Sequence, residues 1–234
     1  MRRNRPSTKL SQSALNNNRA SSVIAKVNWK LAAVLLASTC FAQTYELGGT
    51  LGYGVYRNGS VSSPDGRVTT GVGNRLTAGV VVTENMYEHL SGELRYMYQG
   101  GGPFVSAAGQ KVSISGQSHS VHYDLLFHVK KRDSRWRPYG AAGFGIKYFR
   151  TTGPEPLVQP FPTIVTFVNA NEVRWLLSVG FGLSYRVNRH MVVRGDFRDY
   201  VSPFPHKLFV HVPGGANHGT FQQFTPMIGA SYSF

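Results

Sequence analysis

The chain has 234 residues and combines 26 glycines and 14 phenylalanines with only 15% charged side chains, a composition that favours a β-rich fold. No run of 18 apolar residues occurs, which excludes a transmembrane helix as the means of holding the chain in a bilayer. The formal net charge of +14 raises nucleic acid as a partner, but the distribution of that charge argues against it.

Residues 1–42 form a basic leader that holds seven of the 25 Lys and Arg residues and no acidic residue. After Lys30 comes LAAVLLASTCFA, an apolar run that is too short to span a bilayer and ends in small residues, as in a secretory signal peptide. We predict cleavage after Ala42, export across the inner membrane and a mature domain of residues 43–234. The single cysteine, Cys40, lies in the leader, so a disulfide scaffold and a thiolate metal site are excluded from that domain.

Eight segments follow the leader, and in each of them the side chains alternate between an apolar face and a face of Gly, polar and charged residues. This period of two predicts β-strands, and none of the segments has the 3.6-residue spacing of a helix. In chain order the segments are Tyr45–Arg57, Leu76–Thr83, Leu90–Gln99, Ser120–Val129, Tyr139–Tyr148, Arg174–Val187, Val193–Tyr200 and Gln223–Phe234.

The connections between these segments alternate strictly in length. The long connections, at 58–74, 100–117, 151–172 and 202–220, are rich in Gly, Pro, Ser and Asn, whereas 84–89, 130–135 and 188–189 are short. A membrane barrel with both termini on one side predicts this alternation. Two strand-like stretches, Thr163–Val168 and Lys207–Val212, leave a ten-strand barrel as an alternative, but we expect them to extend barrel strands beyond the membrane.

The size of the side chains decides which face meets lipid. An eight-strand interior has little room, so large residues such as Trp175 and Phe181 fit outside and small or charged residues fit inside. The predicted fold is therefore an all-β, antiparallel up-and-down transmembrane barrel of eight strands. Aromatic residues near the ends of the strands are candidates for the two interfacial girdles; they are Tyr45, Tyr53, Tyr98, Trp136, Tyr148, Trp175 and Tyr185.

The charged residues on the inward face are predicted to pair across the lumen, because charges buried alone are costly. They are Glu93, Arg95, Asp124, Lys147, Arg186, Arg194, Asp196 and Arg198. We expect this network to close the lumen. The alternative is a gate that rearranges to pass ions or small solutes.

Catalytic and metal-binding chemistry is weakly indicated. His89, Ser91 and Glu93 share one face, as a lipid hydrolase would require, but they follow a short connection at the wrong end for surface glycolipid. His122, Asp124 and His128 spread over about 20 Å of one strand and cannot share an ion without partners from other strands. The histidines of the last long connection, which are His206, His211 and His218, have no recognised metal-binding spacing. We expect no metal and no cofactor.

The stretches YELGGTLGYGVY, RPYGAAGFGIKYF and VGFGLSYRVNRHMVVRGDFRDY resemble the small outer-membrane β-barrel family of Gram-negative bacteria, the OmpA/OmpX-type eight-strand barrels. The resemblance implies short periplasmic turns, long surface loops and a terminal strand whose Tyr232 and Phe234 are read by the barrel assembly machinery. It places the protein among outer-membrane lipid and lipopolysaccharide, and we expect a monomer.

The expected function is a structural, adhesion or surface ligand-binding role without enzymatic activity, and the sequence does not specify the extracellular ligand. A narrow pore and a lipid-modifying enzyme are the alternatives.

Overall fold

The structure is a computed structural model that describes residues 44–57, 59–63, 66–107, 110–152, 165–167, 170–203, 209–211, 216–217 and 220–234. The predicted leader therefore lies outside the described residues. Within these ranges there is no helix long and apolar enough to cross a membrane. The strands are β1 (Thr44–Arg57), β2 (Gly59–Ser63), β3 (Gly66–Val72), β4 (Arg75–Asn85), β5 (Leu90–Gly100), β6 (Pro103–Ala107), β7 (Gln110–Ser113), β8 (Gly116–His128), β9 (Trp136–Thr151), β10 (Val165–Phe167), β11 (Asn171–Arg186), β12 (Met191–Pro203), β13 (Phe209–His211), β14 (Ala216–Asn217) and β15 (Thr220–Ser233).

Eight of these strands close into an antiparallel barrel in the order β1-β15-β12-β11-β9-β8-β5-β4. Closure depends on β1, which pairs with β4 on one side and with the last strand, β15, on the other. Each barrel strand therefore has two neighbours, and no edge of the sheet is left without a hydrogen-bonding partner. The eight-strand prediction is confirmed, and each of the eight alternating segments corresponds to one barrel strand.

The barrel turns its apolar side chains outward. Leu51, Phe181 and Ile228 are 63%, 64% and 71% exposed on the outer surface, whereas Glu93 and Arg198 inside are fully buried. This arrangement is the reverse of a water-soluble protein and requires an apolar solvent around the barrel.

The long connections hold more structure than the sequence predicted. Strands from three of them form a five-stranded sheet in the order β14-β2-β3-β6-β7, joined through β3 and β6. This sheet buries Thr70, Val72 and Val105. Its hairpins are short and rich in Gly and Ser, so their alternation was too weak to distinguish them from irregular loops.

The expectation for the two strand-like stretches was wrong. The described parts of these stretches, β10 and β13, pair with each other from Val165↔His211 to Phe167↔Phe209 and form a separate two-stranded sheet. They neither extend barrel strands nor add a ninth and a tenth strand to the ring. The remaining residues of both stretches lie outside the described ranges.

The glycines at the entry to β6 join the five-stranded sheet to the barrel. Gly101 has a φ of +144°, a conformation that side chains other than glycine rarely adopt. Its N–H donates to Gly116 O at 2.9 Å, and Gly73 N donates to Gly102 O at 3.1 Å. A Cβ on Gly102 would lie 1.5 Å from Ile114 O, so the two backbones can approach this closely only without a side chain there.

The outward apolar face should tolerate an added charge at the end of a strand far better than at its middle. Leu125 lies opposite Ala142, midway in β9 between Trp136 and Tyr148. Replacing Leu125 with Arg should lower the free energy of unfolding by about 2–4 kcal/mol, because the charge would enter hydrocarbon near the middle of the bilayer. The same change at Val129, at the end of this face, should cost about 0–1 kcal/mol. Denaturant unfolding of protein refolded in phospholipid vesicles measures both values, and equal costs would contradict a lipid-facing surface.

Candidate functional site in the barrel lumen

Glu93 on β5 is the centre of the buried charges. Its Oε1 accepts hydrogen bonds from Arg95 Nη2 at 2.6 Å and Nε at 3.0 Å, and it lies 3.5 Å from Arg198 Nη2. Its Oε2 accepts from Arg194 and, at 3.1 Å, from Thr83 Oγ1. One carboxylate therefore receives three guanidinium groups from two strands that are not neighbours in the barrel.

Three further carboxylates complete the arrangement. Asp124 accepts from Arg198 at 2.7 Å, Asp196 from Arg95 at 3.1 Å, and Glu46 from Arg194 at 3.1 Å. Asp196 also accepts a hydrogen bond from the Tyr139 hydroxyl. We call this set the ion-pair network; its members are Glu46, Glu93, Arg95, Asp124, Arg194, Asp196 and Arg198.

Strand register explains why the arginines are needed. Glu93 and Asp124 are direct neighbours across β5 and β8, and like charges in that position destabilise a sheet. Arg198 of β12 reaches across the lumen and contacts both of them. Because charged groups of both signs are fully buried, loss of one partner would leave an uncompensated charge at a cost of about 3–5 kcal/mol.

Two of the predicted network residues, Lys147 and Arg186, lie elsewhere, and neither forms an ion pair with a described carboxylate. Lys147 Nζ donates to Tyr56 Oη at 3.1 Å and to Gln223 Oε1, and it lies 4.9 Å from the centre of the Tyr56 ring. Arg186 is half-buried at the short-turn end of the lumen, where it donates to Arg132 O at 2.5 Å. Strand parity places both residues inward correctly but does not give their height along the barrel.

Two inward-facing residues were not assigned to the network from the sequence. They are Glu46, which is a member of it, and Tyr139, which donates a hydrogen bond to Asp196. Tyr139 was overlooked because it is uncharged, and Glu46 because its partner Arg194 is 148 residues away. The signal that would have found Glu46 was its alternation with the apolar residues of β1.

Inward-facing glycines make room for these long side chains. A Cβ on Gly143 would lie 1.9 Å from Asp124 Oδ1, and a Cβ on Gly182 would lie 2.7 Å from Asp196 Oδ1. Both distances are far shorter than van der Waals contact. These glycines therefore give the carboxylates the space in which they meet their arginines.

The three residues of the hydrolase alternative, His89, Ser91 and Glu93, do not form the hydrogen-bonded arrangement that it requires. His89 Nδ1 lies 2.8 Å from His128 O and does not contact Ser91. Ser91 instead donates to Asn85 Oδ1 at 2.9 Å and lies 3.1 Å from His128 Nε2, while Glu93 is held by the ion-pair network. Ser91 is fully buried, so no lipid reaches its hydroxyl.

Metal-binding chemistry has no counterpart in the described residues, in which no three His, Cys, Asp or Glu side chains could hold an ion together. His122 instead contacts Asp124, with 2.9 Å between Nδ1 and Oδ1. His119 faces outward and lies 2.8 Å from the Tyr96 hydroxyl. His206, His218 and the side chain of His211 lie outside the described part of the chain.

The predicted girdle residues lie near both ends of the barrel, and their interfacial role stays a prediction. Tyr53, Tyr98, Trp136 and Trp175 are exposed, and Tyr45, Tyr148 and Tyr185 are half-buried. The rings of Trp136 and Tyr185 are 4.4 Å apart at the short-turn end. Tyr232 and Phe234 are exposed at the same end, where Phe234 N donates to Tyr45 O at 2.9 Å.

A closed barrel that is apolar outside and holds paired charges inside defines an integral outer-membrane β-barrel. The chain matches the family described as outer membrane protein beta-barrel domain over residues 31–234, and it belongs to that family. The short turns therefore face the periplasm and the long connections face the cell exterior.

Solved structures of outer-membrane proteins have the same fold. Neisserial surface protein A is 11% identical, with a TM-score of 0.51 over 83% of this chain and 100% of that chain. OprG from Pseudomonas aeruginosa is 14% identical, with a TM-score of 0.53 over 82% and 96%. A major outer membrane protein from Thermus thermophilus is 13% identical, with a TM-score of 0.52 over 83% and 100%. No curated protein matches the chain by sequence.

The glycines provide a matched pair of variants on one strand. Gly143→Ala should destabilise the barrel by about 1–3 kcal/mol, because the added methyl group displaces Asp124 in a filled interior. Gly140→Ala should be neutral or stabilising, because a Cβ there has no atom within 4 Å. Denaturant unfolding of the two variants tests the difference. A loss of stability that is as large for Gly140→Ala would show that the lumen is not the cause.

Proposed function

We propose that the protein is a non-enzymatic outer-membrane barrel with a structural, adhesion or surface ligand-binding role, and that the ion-pair network closes its lumen. The observation that supports closure is the complete burial of Glu93, Arg95, Asp124 and Arg198 at the centre of the barrel. In an eight-strand barrel, side chains of this size are sufficient to fill the interior.

The extracellular sheets support a role at the cell surface. Residues of all four long connections enter paired strands, so the described part of this end presents hydrogen-bonded strands that link the connections to one another. Ordered surfaces lose less conformational entropy on binding than flexible loops do. The proposed activity is therefore contact with an extracellular ligand or surface.

Single-channel recording tests the closed lumen against the alternative, a narrow pore. Refolded wild-type protein in a planar bilayer should show no steady conductance. Glu93→Gln should produce brief openings, because it removes the carboxylate that three arginines share. Asp133→Asn, on an exposed turn, is the control and should remain silent. A steady conductance of the wild type would favour the pore.

The proposal also excludes lipid modification, because the Ser91 hydroxyl is sealed inside the barrel. Lipid extracted from cells that express the protein should have the same acyl-chain composition as lipid from cells without it. A change that depends on Ser91 would favour the enzyme alternative.

We propose that residues 1–42 direct export and are removed, that Tyr232 and Phe234 are read by the barrel assembly machinery, and that the monomer inserts among lipopolysaccharide and phospholipid. The intact mass of protein purified from outer membranes should correspond to a chain that begins at Gln43. A mass that includes the leader would contradict the signal-peptide assignment.

A further inference from the structure

The periplasmic mouth of the lumen contains a small cavity of about 20 Å³. This volume admits one water molecule or one monatomic ion. Its lining is strongly basic and is separate from the extracellular surface to which the proposed function refers. The basic side chains around it are Arg135, Arg137, Arg186, Arg194 and His128.

Arg137 is the unusual member of this lining. It is only 6% exposed, and no described carboxylate lies within ion-pair distance of it. Its guanidinium makes two long hydrogen bonds to neutral oxygens, at 3.4 Å to Asn85 Oδ1 and at 3.3 Å to Glu88 O. Its Nε has no protein partner. A buried cation normally has a counter-charge in direct contact, and Arg137 has none among the described residues, although the carboxylates of Glu46 and Glu88 act on it from a longer distance.

Two further nitrogens of the lining also lack partners. They are Nε of Arg194 and Nδ1 of His128. Glu46 is the one carboxylate in the lining, and it already accepts hydrogen bonds from Arg194, Asn85 and Ser231 at 2.9–3.1 Å. Arg186 donates to a backbone oxygen and not to a carboxylate. The cavity therefore has an excess of positive charge and of unused nitrogen atoms.

We propose that this cavity is a binding site for a monatomic anion of about the size of chloride, with Arg137 and Arg186 as its ligands. The anion supplies the contacting counter-charge that Arg137 lacks, and it occupies a space too small for a phosphate group, whether free or on a lipid. The site lies between the periplasm and the ion-pair network. Arg137, at the periplasmic end of β9, also donates to Glu88 O, so the bound anion fixes the turn that contains Glu88 against that end of β9.

Halide titration of the refolded protein in detergent micelles tests this site. The probe is the Nε–Hε NMR signal of ¹⁵N-labelled arginine, recorded while sodium chloride replaces sodium gluconate at constant ionic strength. We expect one or two arginine signals to shift with a saturable dependence on chloride. Arg137→Gln should abolish that dependence, and Arg189→Gln, an exposed turn residue, should retain it.

Two further conditions separate the possible ligands. Sodium phosphate and micelles that contain phosphatidylglycerol should produce no saturable shift of these signals. A response to phosphate or to the lipid would overturn the size argument, and a response that persists in Arg137→Gln would overturn the assignment of the ligand. If the arginine signals do not change as chloride replaces gluconate, the anion site is overturned and water fills the cavity instead.

Bromide-soaked crystals of the wild type provide a second measurement that does not depend on the folding of a variant. An anomalous peak within hydrogen-bonding distance of Arg137 is expected, and the absence of a peak there would contradict the site.

Discussion

The closure of the sheet is the constraint on which the rest of this protein depends. Hydrocarbon offers no hydrogen-bonding partner, so each backbone N–H and C=O group in the membrane must find its partner in the chain. Pairing of β1 with both β4 and β15 satisfies that requirement and separates an inner surface from an outer one. The outer surface can then be apolar along its whole height, and the inner surface is free to hold charge.

The inward-facing charged side chains lie in three layers along the barrel axis. Lys147 lies with Tyr56 and Gln223 toward the cell exterior, the ion-pair network fills the middle, and Arg137 and Arg186 lie toward the periplasm. The middle layer brings three arginines into direct contact with buried carboxylates. Near the extracellular end, Arg174 also forms an ion pair with the buried Glu172. We propose that this middle layer closes the lumen. The two outer layers are the places where a solute from either side would first meet a buried cation.

The barrel could be predicted from the sequence because successive side chains of a strand alternate between lipid and the lumen. The odd or even position of a residue, its parity, therefore indicates both which side it faces and whether it is apolar or polar. Parity assigned Phe181 to lipid and Arg198 to the lumen without any knowledge of pairing. It could not identify partners, because contacts across the lumen depend on the stagger between strands. Arg186 and Lys147 were grouped with the ion-pair network for that reason. The strands β2, β3, β6, β7 and β14 of the long connections were missed because they are too short for alternation to be visible. For β10 and β13 the strand character was recognised, but their pairing with each other was not.

The adjacent carboxylates of Glu93 and Asp124 have a consequence for the order of assembly. They belong to consecutive hairpin strands that emerge early, whereas Arg198, which neutralises both, follows Glu93 by 105 residues. A nascent β5–β8 pair has Arg95 to neutralise Glu93 but no arginine for Asp124 until β12 arrives. The repulsion between the two carboxylates is therefore fully relieved only when the barrel is nearly complete. The electrostatics of the interior thus favour late, all-or-none completion over stepwise accumulation of half-built sheets.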